Sequence, residues 1–70
     1  MTIDEKIRLL ARRRGFGIAG LARALGCSTQ NIYLKLKRGN WTEGELAEYA
    51  NALDCDIEIT FIDRTTGERL

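Results

Sequence analysis

Apolar side chains recur at helical spacing through most of the chain and switch to strand spacing near its C-terminus. Ile3, Ile7, Leu10 and Ala11 share the 3.6-residue period of one helix face. Thr2-Ile3-Asp4-Glu5 has capping-box spacing, in which the threonine hydroxyl accepts from the amide of Glu5 while the Glu5 carboxylate reaches back. Arg12, Arg13 and Arg14 crowd the last turn, where cations complement the helix dipole, and Gly15-Phe16-Gly17 ends the helix. A second, shorter helix is predicted from about Ile18 to Leu25 on the stripe Ile18, Leu21, Ala22 and Leu25. Gly26 suits the left-handed residue that stops it. Ser28 is a good N-cap for a third helix, with a polar first turn of Thr29, Gln30 and Asn31 and a thin buried stripe of Ile32 and Leu36. Arg38-Gly39-Asn40 breaks that helix, and Thr42-Glu43-Gly44-Glu45 repeats the capping-box spacing. Trp41 and Leu46 flank this cap at the spacing of a hydrophobic staple. The fourth helix carries Leu46, Tyr49, Ala50 and Leu53 on one face.

After Asp54 the period changes to two: Cys55, Ile57, Ile59 and Phe61 alternate with Asp56, Glu58, Thr60 and Ile62, which predicts a strand. Asp63-Arg64-Thr65-Thr66-Gly67 reads as a turn, and Glu68-Arg69-Leu70 as a very short returning strand. A lone two-stranded ribbon is marginal in water, and an open β-branched edge invites pairing. The economical solution is that the same strand of a second copy pairs with it about a two-fold axis, burying Ile57, Ile59 and Phe61 between subunits. The alternative is that the ribbon folds back on its own helices. The expected fold is mainly α: four helices over residues 1–54, then a C-terminal β-strand or ribbon over residues 55–70 as the dimerisation element.

Composition narrows the chemistry. Seventy residues, 44% apolar and 30% charged, make one small domain, roughly half the usual ~150 residues. There is no histidine, so Ser-His and Cys-His nucleophilic pairs and imidazole metal sites are excluded. Two cysteines do not fill a structural zinc site, which takes about four ligands. Cys27 and Cys55 are expected as small thiols of a reduced, cytoplasmic protein, since the opening MTIDEKIRLL holds no apolar signal run. Nothing approaches the ~18 apolar residues of a membrane span. Gly15-x-Gly17-x-x-Gly20 matches a dinucleotide fingerprint in letters but follows a helix rather than a strand. Asp54, Asp56 and Glu58 are better explained by exposure to water than as a catalytic carboxylate set. No enzyme activity, cofactor or metal is expected.

The net charge of +1 conceals a division. Residues 1–41 hold nine basic side chains against two acids, a balance of +7, and residues 42–70 hold eight acids against two bases, a balance of −6. Such a split fits a basic face for a polyanion and an acidic face turned away from it, or else two ordinary solvated faces.

The helices over residues 18–25 and 28–38, joined by a short turn containing Gly26, have the spacing of a helix-turn-helix. The run Leu21-Ala22-Arg23-Ala24-Leu25-Gly26-Cys27-Ser28, then Gln30-Asn31-Ile32 and Lys35-Leu36-Lys37-Arg38-Gly39-Asn40, resembles the repressor-type domains of the Cro and lambda-repressor class (XRE family). The resemblance covers roughly residues 4–54. It implies that the third helix lies in the major groove of double-stranded DNA, with Thr29, Gln30, Tyr33 and Leu34 at base edges. Gln30 is the best candidate for direct readout, because a carboxamide bonds N6 and N7 of adenine together. Ser28, Asn31, Lys35, Lys37, Arg38 and Asn40 would meet the sugar-phosphate backbone and supply sequence-independent affinity by counterion release. Two positions depart from the family pattern. Gly17-Ile18 stands where many such domains carry Thr or Ser followed by a phosphate-clamping Gln, and the aliphatic Leu34 falls on the groove-facing side.

The function expected is a small sequence-specific DNA-binding transcriptional regulator, repressor-like and homodimeric. Its operator would be an inverted repeat with half-sites about one helical turn apart or a multiple of it. The alternative is a protein-interaction module on the same scaffold, such as an antitoxin, to which Leu34, the missing clamp and the acidic ribbon are better suited. Charge placement discriminates: bases gathered beside the third helix favour DNA, and scattered bases do not.

Overall fold

The computed structural model describes all 70 residues and contains four α-helices: α1 (Ile3–Arg13), α2 (Gly17–Leu25), α3 (Thr29–Arg38) and α4 (Glu43–Ala52). Three helices begin as their sequences predict. The boxes at Thr2 and Thr42 are both closed, with the amides of Glu5 and Glu45 donating to the threonine hydroxyls at 3.1 Å. The Ser28 hydroxyl accepts from the amide of Asn31 at 3.1 Å. Each such cap is worth ~1 kcal/mol. The second helix starts one residue earlier than expected, and its N-cap, Phe16, offers no side-chain acceptor. Phe16 instead lies back over Gly20: a Cβ at Gly20 would stand 2.3 Å from that of Phe16, so this turn of α2 admits only glycine. Gly26 ends α2 in the left-handed conformation, at φ 70° and ψ 31°.

Helix α2 is the hub, packing on α1, α3 and α4, while α1 also touches α3. Ile7, Ala11, Leu21, Ala22, Ile32, Leu36 and Leu53 form one buried cluster, with Leu21, Ile32 and Leu53 wholly removed from solvent. Full burial of each of those three side chains is worth ~1.5–3 kcal/mol. The thin stripe on α3 suffices because both its members are core residues. Ile3, at the start of α1, remains partly exposed. Trp41 meets Tyr49 edge-to-face with ring centroids 4.8 Å apart, an aromatic contact over the first turns of α4.

The strand expected over residues 55–62 does not form. The returning segment makes a single antiparallel bridge, Ile62 with Arg69, flanked by bonds at 2.9 Å that Phe61 exchanges with Leu70 and by the Asp63 amide donating to Glu68 at 2.9 Å. The reason is the ladder. Residues 55–60 have the alternation of a strand, but beyond Cys55, whose amide donates back to the Ala50 carbonyl at 2.8 Å, residues 56–60 find no main-chain partner in the chain. They run as an irregular arm with Ile57, Ile59, Phe61 and Ile62 exposed. The Cα radius of gyration is 13.8 Å, against ~11 Å for a compact 70-residue domain, and the longest dimension is 43 Å.

Candidate nucleic-acid interface

The turn Gly26-Cys27 sets α3 across α2, and the burial of Ile32 and Leu36 decides which face α3 turns outward. That outward face holds Thr29, Gln30, Tyr33 and Leu34, all exposed, with Tyr33 and Leu34 at 47% and 45%. The four residues expected at base edges therefore share one surface. Thr29 and Gln30 make no side-chain bond inside the protein, and neither does Asn31. Tyr33 has a second relationship: the Arg8 guanidinium lies over its ring, 5.4 Å from the centroid. Arg8 is paired in turn with Asp4, one turn earlier on α1.

The residues expected at the DNA backbone separate into two groups. Lys37 and Arg38, in the last turn of α3, are exposed and carry no intramolecular ion pair. Asn31 is also free, and Ser28 is exposed with its oxygen engaged as the cap. Lys35 is not free. Its ammonium sits 2.5 Å from Glu45 Oε2, donates to the carbonyl of Asn40 at 2.7 Å and lies 5.2 Å from the centre of the Trp41 ring. It ties the end of α3 to the start of α4 and shapes the intervening loop, so Asn40 enters through its own carbonyl as a structural acceptor. These bonds hold the Glu45 carboxyl at about 2, well below its ordinary 4.5, with the Lys35 hydrogen bond as the largest cause and the Thr42 cap next.

The arginine cluster also separates. The Arg14 Nε donates to the carbonyl of Leu53 at 2.7 Å, and the same guanidinium lies 3.4 Å from the Asp54 carbonyl and 3.5 Å from Cys55 Sγ. Arg14 thus satisfies the open C-terminus of α4, a long-range role that the local sequence does not announce. Arg8 and Arg12, by contrast, line an open cleft of about 430 Å³ with Gly15, Gly17, Ile18 and Tyr33. Nothing in the local sequence marks this cleft. Helical spacing alone places Arg8 and Arg12 on one face of α1, but only the crossing of α1 and α3 brings Tyr33 to them.

Charge is distributed accordingly. Arg8, Arg12, Lys37 and Arg38 lie on or beside α3, whereas Asp56 and Glu58, together with Lys6 of α1, border a separate apolar groove between α1, α4 and the arm. No helix is long and apolar enough to cross a membrane. No group of histidine, cysteine or acidic side chains is placed to hold a metal ion. The family model for the Cro/C1-type HTH DNA-binding domain matches residues 6–58, which takes in all four helices except the first turn of α1. No curated protein and no solved structure gives a significant match to the chain. The chain belongs to the family of Cro/C1-type helix-turn-helix DNA-binding domains.

Proposed function

We propose that the protein is a sequence-specific transcriptional regulator of the repressor type, with α3 as its recognition helix in the major groove. The observation that carries this reading is the outward face of α3, where Thr29, Gln30, Tyr33 and Leu34 stand together with no core role for the first two. Gln30 reads adenine, Leu34 meets a thymine methyl, and Lys37, Arg38, Ser28 and Asn31 meet phosphates. Lys35 serves the same surface indirectly, by holding the loop that follows α3. Arg12, which lines the cleft with no ion pair of its own, adds a cation where the usual clamping side chain at the start of α2 is missing.

In this reading residues 1–54 bind DNA and residues 55–70 join two copies through Ile57, Ile59 and Phe61. The exposed apolar side chains of the arm support it, since each would be covered by the same segment of a second chain. The test is selection from a random duplex library with the purified protein at near-physiological salt. An enriched inverted repeat is the expected result.

A second reading, a protein-interaction module, is favoured by one observation: Leu34 is 45% exposed on the face that should read polar base edges. Weak, salt-sensitive retention with no enriched sequence would select that reading instead.

A further inference from the structure

Among the side chains on the outward face of α3, Gln30 and Leu34 have partners on the DNA in the function proposed above, and Tyr33 has none. Tyr33 belongs neither to the buried cluster nor to the side chains packed against it, and it is 47% exposed. What lies over its ring is a cation, the Arg8 guanidinium, 5.4 Å from the centroid. That guanidinium is itself held, its Nε donating to Asp4 Oδ1 at 2.5 Å one turn back on α1.

Neither half of this arrangement is needed for folding. Both side chains of the Asp4–Arg8 pair are exposed, and an exposed i, i+4 pair contributes little to stability. Nor is Arg8 placed as a phosphate ligand: Asp4 already occupies its charge, whereas Arg12, which lines the same cleft, has no ion pair. The consequence is geometric. An exposed tyrosine on a helix has more than one rotamer open to it, and binding through its ring has to freeze one of them. A guanidinium fixed across one face removes that freedom before any ligand arrives and leaves the rest of the ring open.

We propose that Arg8 is a positioning residue for base recognition: anchored by Asp4, it holds Tyr33 in one orientation, so that the ring packs on the 5-methyl group of a thymine in the major groove. With α3 as the recognition helix, on which this assignment rests, Tyr33 stands one turn beyond Gln30 on the same face and carries the apolar part of the readout beside the polar one. Arg8 itself touches no base.

The experiment uses the full chain and two readouts. Three-bond couplings of the Tyr33 β-protons, measured without DNA, are expected to show one rotamer in the unsubstituted chain and averaging in Arg8→Met and Asp4→Asn. Deoxyuridine then replaces each thymine of the selected duplex in turn. Loss of the methyl that Tyr33 meets is expected to weaken binding by the unsubstituted chain about fourfold, by Arg8→Met less than about twofold and by Tyr33→Ala not at all. The slope of log K against log salt is expected to be the same for Arg8→Met as for the unsubstituted chain. A slope lower by about one in Arg8→Met, with an unchanged deoxyuridine penalty, makes Arg8 a phosphate ligand and overturns the proposal. Averaged couplings in the unsubstituted chain overturn it too, whether or not DNA binds. A ring fixed by Arg8 in a chain that enriches no duplex keeps Arg8 as the residue that positions Tyr33 and removes α3 as a reader of DNA.

Discussion

Two lysines two positions apart on α3 illustrate how much a residue's role depends on what already occupies its charge. Lys37 has no partner in the protein, whereas Lys35 is bonded to Glu45 and to the Asn40 carbonyl. Lys37→Ala is therefore expected to weaken binding to every duplex alike and to lower the slope of log K against log salt by about one. Lys35→Met is expected to leave that slope unchanged and to lower the melting temperature, since it removes a junction rather than a phosphate contact. Titrations at several salt concentrations, with thermal melts of both variants, check the pair. Gln30 belongs to a third class, free of internal bonds and carrying no charge. Gln30→Ala is expected to cost ~1 to 3 kcal/mol on the preferred duplex and to relax preference at one position. Equal losses on matched and singly substituted duplexes would refute direct reading.

Among the elements, the α3–α4 junction and the start of α2 are where the sequence commits most to a particular geometry. The Glu45 carboxyl titrates at about 2 in the folded chain, below the ordinary 4.5, because Lys35 and the Thr42 cap bind its charged form. A depressed folded pKa means a stabilisation that is complete above about 4.5 and disappears as the pH falls toward about 2. The melting temperature should decline over that window, and Glu45→Gln should flatten the decline, as circular dichroism melts across the window would show. At α2, Gly20→Ala sets two opposing effects against each other. Alanine is favoured over glycine in a helix by ~1 kcal/mol, while overpacking costs typically ~1–3 kcal/mol. The overlap at 2.3 Å is with the Cβ of Phe16, which no side-chain rotation moves, so overpacking wins and the variant should be the less stable in denaturant unfolding.

The whole molecule is a compact helical unit with a projecting, acidic, apolar-edged arm, and the two parts have different needs. The helices bury most of their own stripes, with α2 at the centre. The arm leaves Ile57, Ile59 and Phe61 in water and the main chain of residues 56–60 unpaired. Phe61→Glu should abolish the dimer while leaving the helical unit folded. Sedimentation combined with the far-ultraviolet helix signal tests this, and a variant that still sediments as a dimer removes Phe61 from the interface. Bases beside α3 and acids along the arm would keep the two surfaces from competing for one polyanion.

Features that rest on local spacing need nothing beyond neighbouring residues. Both capping boxes, the Ser28 cap and the left-handed Gly26 are satisfied within about one helical turn, and the apolar stripes recur at that spacing, so all are legible in consecutive residues. The outward face of α3 was legible for the same reason, as the complement of Ile32 and Leu36. Contacts between distant parts of the chain are settled instead by how the helices pack. Arg14 reaches Leu53 across a separation of 39 residues, and Lys35 is drawn to α4 rather than left for a phosphate. Arg8 meets Tyr33 only because α1 and α3 cross. The arm shows the same limit from the other side: its alternation is written locally, but a strand exists only when a neighbour completes its hydrogen bonds, and a single chain supplies that neighbour for three residues at its tip.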